Sequence, residues 1–185
     1  MQRVRTDRRL KSIILPVIFQ FLLLCSFILI DQLTKYYFRD LYFNQGDLIV
    51  IDGFFRFTYV LNTGAAWSFL ADVSWAQTFF KVLTAVALVV FVIIYVYSVS
   101  KRSKWLQISL VFIVSGTLGN FIDRLVLSGV IDFLGFTFGS YGFPIFNFAD
   151  SFLVVGVIML IIYYLFMDKN AVFRSNNGNK ELSDN

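Results

Sequence analysis

The chain has 185 residues, of which 58% are apolar and 19% aromatic, with a formal net charge of +4. That apolar share is too high for the surface of a water-soluble domain of this length, so the chain reads as an integral membrane protein. It has no His and one Cys, which excludes Ser-His-Asp and Cys-His chemistry, zinc sites built on His or several Cys, and disulfides within the chain.

Taken in chain order, Arg3, Arg5, Arg8, Arg9 and Lys11 precede a first apolar stretch, Ile13 to Ile30, long enough to span a bilayer at about 20 residues. A basic start before an apolar run also resembles a secretory signal peptide. This run is long for an h-region and no small-x-small site follows it, so it reads as an uncleaved span. Cys25 lies inside it among Leu and Phe and is expected to pack as a small hydrophobe. The span ends at Asp31-Gln32-Leu33-Thr34-Lys35, where Asp31 and Lys35 at i, i+4 suit a helix-end ion pair in a supporting role.

Leu48 to Ile51 and Phe54 to Leu61 are short β-branched and aromatic runs on either side of Asp52-Gly53, a hairpin signal. Alternation of Phe55, Phe57 and Tyr59 with Arg56 and Thr58 gives that hairpin one greasy face, suited to the membrane surface or a lipid. Asn62-Thr63-Gly64-Ala65-Ala66-Trp67 follows, which local chemistry alone reads as a turn. Trp67 and Trp75 fit an interfacial aromatic belt. Ala76 to Val99 is the second span and Trp105 to Leu125 the third, joined by Lys101, Arg102 and Lys104. The third ends in Gly119-Asn120-Phe121-Ile122-Asp123-Arg124. From Gly129 to Asn147 there is no Lys or Arg, and Asp132 in that stretch reads as a solvated acid or turn residue. Phe146-Asn147-Phe148-Ala149-Asp150 opens the fourth span, Ala149 to Met167.

The expected fold class is therefore an all-α membrane protein, with four transmembrane helices and a small extracytoplasmic β-sheet between helices 1 and 2. One membrane domain is expected over residues 1–170, followed by a polar, disordered cytoplasmic tail over 171–185. Lys and Arg gather at the N-terminus, between spans two and three, and after span four, at Lys169, Arg174 and Lys180. The positive-inside tendency then puts both termini in the cytoplasm and the two long loops outside. Because the basic residues flank spans, anionic lipid and topology explain the net charge, and no nucleic-acid partner is expected.

An Asp in hydrocarbon costs roughly 2.5 to 3.5 kcal/mol on translocon scales, so Asp123 and Asp150 need a function. Helix 3 runs outward and helix 4 inward, which places both acids at a similar depth near the outer surface. In each cluster an Asn three residues earlier shares the helix face of its Asp. Two adjacent carboxylates can share a proton and divide into acid and base, so Asp123 and Asp150 are the expected catalytic pair, with no metal or cofactor. Asn62, Asn120 and Asn147 are candidates to hold substrate carbonyls or an oxyanion. A proton or ion pathway is the main rival, although the centres of helices 2 and 4 are nearly devoid of polar residues.

At these residues the chain resembles the bacterial lipoprotein signal peptidases, or type II signal peptidases. Asp31 to Lys35 looks like the family's D-x-x-[ST]-K motif and Asn62 to Ala66 like N-x-G-A. Gly119 to Arg124 resembles G-N-x-x-D-R, and Phe146 to Asp150 resembles F-N-x-A-D. The motifs fall in the family's order over roughly Lys11 to Met167, and four in order are far more specific than any one. The resemblance implies an aspartic endopeptidase of the bacterial cytoplasmic (inner) membrane. It would remove the signal peptide from diacylglyceryl-modified prolipoproteins, cutting before the lipidated Cys, with its site near the extracytoplasmic face. It carries Asp123 and Asp150 over as the catalytic pair, with Asn62, Gly64, Asn120, Arg124 and Asn147 lining the substrate site and Asp31 and Lys35 supporting it. The implied partners are lipid-modified prolipoproteins, membrane lipids and globomycin-type inhibitors.

Overall fold

The structure, a computed structural model, describes residues 2–42, 46–64, 73 and 75–168. Its helices are α1 (Gln2–Tyr42), α2 (Ala76–Ser100), α3 (Lys104–Leu127) and α4 (Phe148–Ile162), the last continuing as a π-helical turn over Tyr163–Met167. Within them Ser12–Tyr42, Ala76–Ser100, Lys104–Leu127 and Phe148–Met167 are long and apolar enough to cross a membrane, one for each span read from the sequence.

The central helix is α3, which packs against α1, α2 and α4. Its most apolar stretch is 44% buried, against 6% in each of the other three, so the outer helices turn their Leu, Val and Ile outward to lipid. Close approach to α4 depends on missing side chains. A Cβ on Gly116 would strike the Ala149 carbonyl, and one on Gly156 would lie 2.8 Å from the Ser109 carbonyl oxygen. A Cβ on Gly119 would sit 2.5 Å from Asp31 Oδ2 on α1. Ser128, left-handed at φ 56°, ends α3, and the next strand starts two residues later.

That strand is the main departure from the sequence reading. The hairpin of β1 (Leu48–Ile51) and β2 (Phe55–Asn62) forms as expected, turning at Gly53 with φ 65°. It is half of an antiparallel sheet of order β1-β2-β3-β4, whose β3 (Val130–Phe138) and β4 (Tyr141–Gly142) come from the stretch after α3. Val130-Ile131-Asp132-Phe133-Leu134 does not alternate because it is buried on both faces, which removes the period-two signal. The pairing of Asn62 with Val130 and Val60 with Asp132 sets the ends of β2 and β3 side by side.

The greasy face of β2 does not lie free. Phe57 stacks on Phe38 of α1 at 4.6 Å, Phe38 on Phe133 at 4.5 Å, and Phe55 on Phe136 at 4.6 Å. This aromatic stack seats the sheet on the end of the bundle, and Arg56 on the other face is exposed, 3.1 Å from Asp47. Cys25 is exposed on α1 rather than packed inside. Trp75 is also exposed. Trp67 and the tail from 169 onward lie outside the described residues.

Candidate active site

Where the sheet meets the bundle, α1, α3, β2, β3 and the start of α4 each contribute polar side chains to one buried cluster. Asn147 organises it. Its backbone is extended, its Oδ1 accepts from the Asp150 backbone N–H at 2.9 Å, and Asp150 Oδ2 accepts from the Asn147 N–H at 3.1 Å. The Asn-x-x-Asp spacing is thus a reciprocal capping box that starts α4. With Oδ1 so occupied, the Asn147 amide turns its Nδ2 inward, donating to Asp132 Oδ1 at 2.7 Å, Asn120 Oδ1 at 3.1 Å and the Ile131 carbonyl at 3.2 Å.

Lys35 forms the second node and is 1% exposed. Its ammonium lies 2.8 Å from Asp31 Oδ2 and 3.0 Å from Asp123 Oδ2, and it donates to Asn120 Oδ1 at 2.9 Å. An ammonium has three protons, and three partners use them. Asp31 Oδ1 accepts from the Ala149 N–H at 2.9 Å, capping one of the orphan donors of the α4 N-terminus. The Asp31–Lys35 pair is therefore an interior fixture joining α1 to α3 and α4, where sequence spacing suggested a helix-end anchor.

Asp123 is held at three points. Its Oδ1 accepts from Gln32 Nε2 and its Oδ2 from the Ile131 N–H, both at 3.1 Å, in addition to the Lys35 ion pair. These contacts tie α1, α3 and β3 together. Asp132, read from the sequence as solvated, instead shares Asn147 with Asp150. Asp132 is buried on β3 and accepts from Asn147 Nδ2 on one oxygen and from Asn62 Nδ2, at 3.0 Å, on the other. Burial, and next the negative charge of Asp150, push its pKa from 3.8 up to about 7. Both causes disfavour a second negative charge in a confined site. Asp150 Oδ1 accepts from Asn120 Nδ2 at 2.7 Å, so Asp132 and Asp150 hang from the same Asn147, and Asn120 ties Asp150 to Lys35.

The remaining expected site residues converge here as well. Asn62 Oδ1 accepts from the Gly64 N–H at 3.0 Å, so the turn read from Asn62-Thr63-Gly64 is real and also aims Nδ2 at Asp132. Gln77 of α2 donates to the Thr63 carbonyl and fastens that turn. Arg124 lies over the Phe80 ring, 5.5 Å from its centroid, within the fields of Asp150, Asp132 and Asp123. Its Nε is buried with no hydrogen-bond partner among the described residues, leaving a donor for something else. Sequence reasoning missed Asp132 and Gln32. For Asp132 a signal existed, since an acid between Val130-Ile131 and Phe133-Leu134 seldom belongs to a solvated loop.

No group of His, Cys, Asp and Glu that could hold a metal ion occurs among the described residues. What the cluster can do is move protons, with one carboxyl that ionises near neutrality facing another, and carboxamides and a guanidinium around them.

A bundle of four membrane-crossing helices with such a cluster at one end defines a multi-pass membrane enzyme. Two solved bacterial membrane enzymes share the fold: one at TM-score 0.69 with 34% identity over 80% of this chain and 94% of that chain, another at TM-score 0.67 with 35% identity over 77% and 85%. The family described as signal peptidase (SPase) II matches residues 23–166. A lipoprotein signal peptidase of Bacillus pumilus is 40% identical over 80% of this chain and 92% of its own length. Those of Listeria welshimeri and Pseudomonas syringae pv. tomato are 39% and 40% identical, over 82% and 72% of this chain and 96% and 78% of theirs. The chain belongs to the signal peptidase II family and is a multi-pass bacterial membrane peptidase.

Proposed function

We propose that the protein removes the signal peptide from diacylglyceryl-modified prolipoproteins, cutting before the lipidated Cys, and that Asp132 and Asp150 are the carboxyl pair that does it. The observation that carries this reading is that two carboxyls, Asp132 and Asp150, share the one Asn147 side chain in a buried cluster, where burial and the neighbouring charge raise the Asp132 pKa. One proton on the pair near neutrality supplies an acid and a base together. The ionised carboxylate takes a proton from water as its oxygen attacks the scissile carbonyl. The protonated carboxyl polarises that carbonyl and then gives its proton to the leaving amine. Peptide and water become an acid and an amine with no metal involved.

The surrounding groups have fitting parts. Asn147 and Asn120 hold Asp150 and Asp132 in place, and Asn62 and Gly64 shape the wall beside Asp132. The Arg124 Nε, without a hydrogen-bond partner among the described residues, donates to a substrate carbonyl. Asp31, Lys35 and Asp123 support the floor. Both termini lie in the cytoplasm and the site faces outward at the inner-membrane surface, where a lipid-anchored precursor presents its cleavage point. Globomycin-type cyclic peptides would occupy the same cleft.

The test uses purified enzyme with a lipidated precursor peptide and its unlipidated form, with and without EDTA. Cleavage of the lipidated peptide, insensitive to EDTA and lost in Asp132→Asn, is expected. Turnover abolished by chelator, or indifferent to lipidation, overturns the proposal.

A further inference from the structure

Beside Asp123 lies a cleft of about 130 Å³, between the ends of α1 and α3 and open to the surface. The α1 wall is polar, with Gln32, Lys35, Tyr36 and Arg39, and the α3 and β3 wall is apolar, with Ile122, Val126, Leu127 and Ile131. Asp123 and Lys35 are spent on each other at its floor. Tyr36 and Arg39 are exposed, and Arg39 has no ion-pair partner among the described residues. Its sequence neighbour Asp40 points about 100° away around the helix.

Depth supplies the second observation. The first apolar stretch ends at Ile30, so Arg39 stands about 13 Å further along the helix axis, at headgroup level, while Gln32 is at the hydrocarbon boundary. A ligand lying along this cleft meets a cation at headgroup height beside Val126 and Leu127, with Ile122 near the level of Gln32 below them.

We propose that the cleft binds an anionic glycerophospholipid, its phosphate on the Arg39 guanidinium and Tyr36 hydroxyl, its glycerol beside Val126 and an acyl chain descending past Ile122. Guanidinium favours phosphate through paired, charge-assisted hydrogen bonds. The diacylglyceryl group of the proposed substrate has no phosphate, so charge separates this lipid from substrate and assigns it a structural site behind Asp123. Binding there braces α1 against α3 beneath the Lys35 node.

The experiment places full-length protein in nanodiscs of phosphatidylcholine alone, with phosphatidylglycerol, or with diacylglycerol, and reads thermal unfolding together with lipid retained in native mass spectrometry. Phosphatidylglycerol is expected to raise Tm by about 3 °C and diacylglycerol to leave it unchanged. The gain and the retained lipid should be lost in Arg39→Gln and reduced in Tyr36→Phe, while Arg102→Gln, at the opposite end of the bundle, keeps both. An equal gain in Arg39→Gln, or an equal gain from diacylglycerol, overturns the proposal. The readout is independent of peptidase activity.

Discussion

Buried polar networks lie at both ends of α3, and they differ in kind. Toward its start, Tyr95 donates to Gln20 Oε1 at 2.6 Å, Gln20 to Gln107 Oε1 at 2.9 Å, and Gln107 to the Ser98 carbonyl at 3.1 Å. Every link is neutral and matched, and it fastens α1, α2 and α3 inside the membrane. Toward its end, Asp31, Lys35, Asn120, Asp123, Asp132, Asn147 and Asp150 form a charged cluster that holds more carboxylates than it neutralises. It also leaves a buried Arg124 donor with no partner among the described residues. Satisfied polar groups in a bilayer make a fastening, whereas a surplus of buried acid is costly and marks a place of chemistry.

The contrast is broken most forcefully by removing the surplus acid. Asp132→Asn and Asp150→Asn should each lower turnover by about 10³-fold or more, with insertion and Tm nearly unchanged, as followed by peptide cleavage and thermal unfolding. Asp123→Asn should instead lose stability and keep measurable turnover in the protein that remains folded. If Asp123→Asn were inactive at full Tm while Asp132→Asn still cleaved, the pairing would revert to the one read from the sequence.

Lys35→Met tests whether the charged end also holds the fold. Leaving Asp31 and Asp123 buried without their cation should cost about 3 kcal/mol, seen as a lower unfolding midpoint. A variant with unaltered stability would show that the node is more hydrated than its burial implies.

A gentler change sharpens the assignment of Asp132 through pH. Because its pKa is raised from 3.8 to about 7, the folded protein keeps between those values a proton that the unfolded chain releases. The associated stability, and the singly protonated pair, are lost as pH rises through about 7. Activity should therefore decline on an alkaline limb near neutrality. The Asn62 hydrogen bond favours the ionised form, so Asn62→Ala should carry that limb to higher pH, whatever it does to KM. A limb that stays in place would separate Asp132 from the rate.

At the neutral end Gln107→Leu should cost only about 0.6 kcal/mol, the mean for interhelical hydrogen bonds in a membrane. Its kcat should match the unaltered enzyme. A fall in kcat there would mean that the two networks communicate through α3.

Much of this was legible in the chain because lipid leaves little latitude. Stretches of sufficient apolar length must be helices, since backbone groups in hydrocarbon have to bond within their own segment. Asp52-Gly53 between β-formers specified its hairpin, and four short motifs in order indicated the family. Residues such as Asn147 and Asp150 could be placed together because a helix start fixes their spacing locally.

Which acid faces which was not legible. Asp123 and Asp132 are both near the end of α3 in sequence, and local rules favoured Asp123 because it shares a helix with Asn120. Only the folded chain brings Lys35 from α1 onto Asp123 and sets β3 beside β2, so that Asp132 turns inward between Asn62 and Asn147. The strand itself was hidden, because burial on both faces erases the alternation that identifies strands. Composition and hydrophobic length thus determined the membrane architecture, while long-range charge pairing decided the chemistry of each carboxylate, since a buried acid takes its character from neighbours distant in the chain.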